Sequence, residues 1–284
     1  MRLKEAIDLF LAHMESIGRS QATLRSYRQR TRYFYNYLAD RFNCDVYLED
    51  ITTPDVEDYL GHMYSRGLTP ATRKSALAVA RTLFNYCQRR GHRSDNPAAC
   101  VEAVKLEQKE RVFLEEAEVM ALADNASTPL MRSVFLFLYY TGLRISECLN
   151  LTLGDIDLDQ GIIRVRHGKG GKSRLVPVSK SLRPVLVDHL TRRPATGTDR
   201  FFATRTGGLC RAHVDKCLKK AAQKTGLGKK VSPHILRHSF ASQLVKKQVN
   251  IVNIQKLLGH ASLKTTSIYT HTSLEDLVSS VNRL

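Results

Sequence analysis

The chain has 284 residues, with 44 Lys and Arg against 27 Asp and Glu, a formal charge of +17 and a pI near 9.8. That length can bury one large core or two ordinary ones, and that charge points to a polyanionic partner, nucleic acid first, over simple solubility. Six cysteines without CxxC spacing argue against a zinc or disulfide framework and read as reduced thiols. No apolar run approaches the ~20 residues of a membrane span, and Met1-Arg-Leu-Lys-Glu leads into an amphipathic helix and not a signal peptide.

The charge is uneven. Residues 1–110 carry 17 basic against 14 acidic side chains, net +3, whereas 111–284 carry 27 against 13, net +14. The demand for an anion is therefore strongest in the second part.

Apolar groups at helical spacing (Leu3, Ile7, Phe10, Leu11, Met14) predict a first helix over 3–17. Ser20-Gln-Ala-Thr opens a second, from Gln21 to about Phe42, with Arg25, Arg28, Arg30 and Arg32 set between Tyr27, Tyr33, Tyr35 and Tyr37. The plain reading is a solvated basic face over an aromatic core face. The sharper one lays Arg25, Arg28 and Arg32 along a DNA backbone. Thr53-Pro-Asp-Val and Thr69-Pro-Ala-Thr repeat an N-cap and first-turn proline signal, and their helices stop at Arg66-Gly67 and Arg90-Gly91. Four helices with short turns make a compact unit, residues 1–97, followed by a polar linker over 98–111.

The second unit, 112–284, opens with helices at 114–123, 130–141 and 143–151. The 143–151 helix begins with Arg144 beside the end of an apolar helix, and an arginine there needs an anionic partner. The period then changes. Ile156–Leu158, Gly161–Arg166 and Arg174–Val178 are short strands, the last two joined by His167-Gly-Lys-Gly-Gly-Lys-Ser. This is not a P-loop: the pattern needs Gly at 166, which is Arg, and a strand-to-helix turn. It reads as a hairpin delivering Lys169 or Lys172, or as a plain exposed loop. A helix at 181–190, a strand-like 200–203, a turn at 206–208 and a basic helix at 212–225 complete the run. The fold is mainly α with a small antiparallel β-sheet.

Near the end, Ser232-Pro-His-Ile-Leu-Arg starts a helix with His234 and Arg237 three apart, hence on one face. Leu257-Leu-Gly-His260 ends another, and Tyr269 follows nine positions later. Each has a bland alternative: a surface pair, a helix-capping histidine, a core tyrosine. Together they suit phosphate chemistry. Two arginines can hold the non-bridging oxygens of a phosphodiester. Histidines and a mobile lysine move protons, and a tyrosine hydroxyl becomes a nucleophile once its target is neutralised. No carboxylate cluster has metal-ligand spacing, so neither metal nor other cofactor is expected.

The ordered set Thr141-Gly-Leu-Arg144-Ile-Ser-Glu147, Gly168-Lys169-Gly, His234-Ile-Leu-Arg237-His-Ser-Phe-Ala, Leu257-Leu-Gly-His260 and Tyr269-Thr-His closely resembles the tyrosine recombinase (integrase) family, and the N-terminal helices resemble its core-binding domain. The resemblance implies that Arg144 and Arg237 bind the scissile phosphate, Lys169 is the general acid (Lys172 the lesser candidate), His234 assists proton transfer and His260 hydrogen-bonds the phosphate. Glu147 would steady the site. Tyr269 would attack, leaving a 3′-phosphotyrosyl link and a free 5′-hydroxyl that attacks a partner strand through a Holliday junction, without ATP.

It further implies a C-shaped clamp on double-stranded DNA, with Lys172 and Arg174 as added DNA contacts. Four protomers would act on two paired recombination sites, as monomers or dimers off DNA, with accessory proteins an option. Ser273 caps a final helix (Leu274, Leu277, Val278, Val281) that would dock into the neighbouring protomer or onto its own domain. The setting would be cytoplasmic, at the bacterial nucleoid. The short N-terminal region speaks against an arm-binding domain and for Xer-type or transposon-borne enzymes, such as a cointegrate resolvase. The competing readings are a non-catalytic architectural DNA-binding protein and a type IB topoisomerase-like enzyme.

Overall fold

The computed structural model describes residues 1–106, 112–166 and 173–259. The chain divides into two compact units, Met1–Lys109 and Glu110–Leu284.

The first unit holds helices α1 (Leu3–Ser16), α2 (Gln21–Phe42), α3 (Thr53–Ser65) and α4 (Pro70–Arg89). Their starts follow from side-chain caps that satisfy orphan first-turn N–H groups. Ser20 accepts from the Thr23 N–H and Thr69 from the Thr72 N–H. The α3 cap lies one residue earlier than the Thr-Pro pattern predicts: Asp55 accepts from both the backbone N–H and the hydroxyl of Thr52, at 2.8 and 2.7 Å.

Two further expectations for this unit need correction. The buried face of α2 is Leu24, Thr31, Phe34 and Leu38. Tyr27, Tyr35 and Tyr37 pack at its margins and Tyr33 is exposed, so the tyrosines flank the core without forming it. The helical unit also runs past residue 97. Ala98 and Val101 are buried in the same core, and the Arg81 guanidinium donates to both of their carbonyls. Small apolar residues inside a polar-looking stretch made that anchoring invisible to a composition-based boundary.

The second unit is built around α6 (Pro129–Thr141), which is buried nearly all round through Met131, Ser133 to Tyr139 and Thr141. Packed with it are α5 (Glu116–Asp124), α8 (Leu182–Arg192), α9 (Arg211–Lys224) and α10 (Pro233–Lys246). A short α7 (Ile145–Asn150) follows α6 and leads through a 3-10 turn at Leu153–Asp155 into β1 (Ile156–Asp157). β1 pairs antiparallel with β2 (Ile162–Val165), and β2 with β3 (Arg174–Pro177), in the order β1-β2-β3. Alternation fixes the faces. Ile163, Val165 and Val176 point into the core, while Leu175 is 61% exposed. The strand expected at 200–203 is displaced: β4 (Ala203–Thr204) pairs with β5 (Gly207–Gly208). Phe201 and Phe202 are both buried on a bend, which strand alternation forbids, and their rings pack edge-on at 4.9 Å. Finally α11 (Ile251–Leu258) ends on Gly259 in the left-handed region, φ 63.

All six cysteines are free. Among the described residues no helix is long and apolar enough to cross a membrane.

Candidate active site

Three elements far apart in sequence meet at the C-terminal end of α11. The first contact depends on Gly142, which ends α6 at φ 60. A Cβ there would lie 2.3 Å from Cδ1 of Phe240, so only glycine lets α10 press against the end of α6. That approach carries Arg237 inward. It is 2% exposed, and it donates through Nη1 to the Gly142 carbonyl at 2.6 Å and through Nη2 to the Leu258 carbonyl at 2.7 Å. His234, one turn before, is exposed on α10, and its ring meets that of His238 edge-on at 4.3 Å. The spacing of His234 and Arg237 does make them neighbours, but the arginine turns under the helix while the histidine stays out.

Arg144 comes from the N-terminus of α7, where Glu147 closes the first turn by accepting the Arg144 backbone N–H at 2.9 Å. The same carboxylate accepts from Arg144 Nη1 at 2.8 Å. Arg144 Nη2 reaches the Gly259 carbonyl at 3.4 Å, and the side chain keeps 28% of its surface open. Arg174, at the start of β3, grips Glu147 with both Nη atoms, at 3.0 and 2.7 Å, and donates through Nε to the Leu257 carbonyl at 3.1 Å.

The carbonyls of Leu257, Leu258 and Gly259 thus each receive a different guanidinium: Arg174, Arg237 and Arg144 in turn. Physical reasons favour this. The last carbonyls of a helix lack intrahelical donors, and the negative end of its dipole attracts cations. Burial alone would raise the Glu147 carboxyl. The hydrogen bonds from Arg174 and from the Arg144 backbone outweigh it and hold the group at about 2. Two arginines on the carboxylate and a third on the neighbouring carbonyl leave the corner net positive, with Arg144 accessible from outside. An anion with paired oxygens, such as a phosphodiester, is what that surface suits.

Lys169, Lys172, His260 and Tyr269 lie outside the described residues. The described frame stops where they begin in sequence: Val165 pairs with Arg174 at the hairpin base, and Gly259 directly precedes His260.

Residues 112–275 match the phage integrase family and residues 7–91 its N-terminal SAM-like domain. The chain is 35% identical to tyrosine recombinase XerC of Chromobacterium violaceum, covering 97% of this chain and 92% of that one. It is 33% identical to tyrosine recombinase XerD of Listeria innocua, over 95% and 94%. The chain belongs to the tyrosine recombinase family. In fold it is similar to a lambda integrase tetramer solved on a Holliday junction, with TM-score 0.80 and 24% identity over 95% of this chain and 77% of that chain.

The recombinase's remaining sequence-predicted residues are distributed unevenly. Arg25, Arg28 and Arg32 all stand exposed on α2. Arg28 lies 3.7 Å from Glu15, and the Arg32 guanidinium sits 5.8 Å from the Tyr33 ring centroid. Arg174, unlike them, is turned inward. Its side chain is 12% exposed and committed to Glu147 and Leu257. The sequence held a signal for this, because β-strand alternation sets Arg174 on the inward face with Val176, and an inward arginine requires an acceptor. The carbonyls at Gly142, Leu257, Leu258 and Gly259 had no such signal, since backbone acceptors carry no side-chain identity.

Proposed function

We propose that this recombinase exchanges strands between two specific DNA sites, with Arg144, Lys169, His234, Arg237, His260 and Tyr269 as its catalytic residues and Glu147 as support. Arg144 and Arg237 bind the non-bridging oxygens of the scissile phosphate and offset the charge that builds as phosphorus becomes pentacoordinate. The Tyr269 oxygen attacks phosphorus, its proton leaving by way of His234. The bond from phosphorus to the 5′-oxygen breaks, and Lys169 supplies the proton that makes it a 5′-hydroxyl. A 3′-phosphotyrosyl link keeps the strand. A 5′-hydroxyl from the partner duplex then attacks that link, restoring the tyrosine and joining the strands. His260 adds a hydrogen bond to the phosphate. No external energy source enters, because each broken ester is replaced by another.

The observation that carries this reading is the corner itself: Arg144 and Arg237 drawn together on successive carbonyls of α11, with Glu147 beside them. The first unit would serve as the core-binding domain and the second as the catalytic domain, ending in a helix exchanged between protomers. Four copies would act on paired sites, a view supported by the likeness to the lambda integrase tetramer on a Holliday junction. The place of action would be the cytoplasm, on nucleoid DNA.

A nicked suicide duplex tests it. Wild type should leave a covalent protein–DNA adduct, and Tyr269→Phe should leave none. Absence of adduct with wild type on site-bearing DNA would overturn the catalytic reading. Relaxation of supercoiled plasmid without any joint product between two sites would move it to a topoisomerase.

A further inference from the structure

Arg174 has a position that the phosphate chemistry does not explain. It begins β3, directly after the hairpin that bears Lys169 and Lys172. Its fork closes on both oxygens of Glu147, whose other bonds go to Arg144, and its Nε holds the Leu257 carbonyl two residues before Gly259. The packing is tight: a Cβ on Gly259 would lie 3.0 to 3.1 Å from the Arg174 guanidinium. One planar group therefore joins the hairpin base, the carboxylate that orients Arg144, and the end of the helix preceding His260. Lysine cannot do this, since its ammonium is a point charge without the two-pronged geometry.

We propose that Arg174 is a positioning residue for strand cleavage, fixing the Arg144 guanidinium through Glu147 and tying the hairpin to the end of α11. This rests on the assignment of Arg144 to the scissile phosphate. Without Arg174, Glu147 loses the partner that fixes both of its oxygens, and Arg144, which now gives the carboxylate only Nη1, is free to close on the vacated oxygen as well and leave the Gly259 carbonyl. Displacement of a reacting group by about 1 Å costs on the order of a hundredfold in rate.

The experiment uses the full-length protein and compares strand cleavage of two duplexes. One carries the natural phosphodiester at the scissile position, and the other an uncharged methylphosphonate, which removes the charge that Arg144 would neutralise. Arg174→Ala and Arg174→Lys should cleave the phosphodiester about a hundredfold more slowly, with DNA affinity changed less than about threefold. On the methylphosphonate the deficit should shrink to within about fivefold of wild type, and Arg144→Ala should shrink in parallel. Adding Arg174→Ala to Arg144→Ala should cost little more than Arg144→Ala alone. Equal deficits on the two substrates, or full additivity, would show that Arg174 serves the fold only and would overturn the proposal. So would a wild-type rate for both variants on the phosphodiester. Arg174→Lys keeps the charge and the stem, so it covers the case in which Arg174→Ala fails to fold, and thermal melting separates the two. If wild type itself cleaves neither duplex, the fault lies with the catalytic reading and not with Arg174.

Discussion

The two units use the same side chain in opposite ways. On α2, Arg25, Arg28 and Arg32 project from the surface, with Arg28 approaching Glu15 at 3.7 Å and Arg32 lying beside the Tyr33 ring. At the end of α11, Arg144, Arg174 and Arg237 are fixed by carbonyls and a buried carboxylate. A long exposed arginine can follow a charged polymer and release counterions wherever it lands. A fixed one can serve a single geometry, because its rotamer freedom has already been lost. Binding along DNA and reaction at one phosphate call for these two kinds of arginine.

The sharpest way to break this contrast is to remove a fixed arginine. Arg237→Ala should lower covalent adduct formation by about a thousandfold, in the range for loss of a transition-state donor. It should also destabilise the second unit, since the carbonyls of Gly142 and Leu258 lose their buried partner. Gel-shift affinity for site DNA should fall far less. If binding falls as much as cleavage, Arg237 belongs with the α2 arginines.

Acid probes the carboxylate inside the fixed set. Glu147 titrates at about 2 in the folded protein against an ordinary 4.5. A depressed folded value means that the stability is present above about 4.5 and lost as pH falls toward 2. Linkage gives about 3 kcal/mol over that window. Urea midpoints for the second unit should follow it, and Glu147→Gln should flatten the dependence. Gly142→Ala should cost about 2 kcal/mol, from a strained φ and a clash with Phe240, as read from chemical denaturation. The smallest effect lies with the exposed arginines. Replacing Arg25, Arg28 and Arg32 together by Ala should leave melting within about 0.5 kcal/mol. It should make log affinity less steep in log salt by about 0.9 for each DNA phosphate that those arginines neutralise. An unchanged slope would take α2 off the DNA.

Much of this frame is legible in sequence because local chemistry dictates it. Thr69 and Ser232 announce helix starts, Gly142 and Gly259 announce helix ends, and the alternation across Gly161–Val178 announces a hairpin. Elsewhere local signals mislead or fall silent. Four tyrosines on α2 look like a core face, yet Leu24, Phe34 and Leu38 fill that role because three aliphatic or aromatic groups at helical spacing bury more completely than phenols that need a polar outlet. Paired phenylalanines suggest a strand at 200–203, but both rings are needed inside. Of the candidate site, residue types and order identify Arg144, Glu147 and Arg237. What draws them together does not show, because their partners are main-chain carbonyls selected by packing. Arg174 is the instructive case, since its inward register was readable but its partner lay 27 residues earlier.

The meeting of three guanidiniums on one helix end also bears on how the protein folds. Arg144 reaches Gly259 across 115 positions, Arg237 reaches Gly142 across 95, and Arg174 reaches Leu257 across 83. Interactions that close such long loops form late, since their entropy cost must be met before they give any return. Helices such as α6 and α10 can appear early from local signals alone, but the anion corner exists only when the whole second unit has closed. A chain still folding therefore holds these arginines before it holds the geometry that sets them on one carboxylate and three carbonyls.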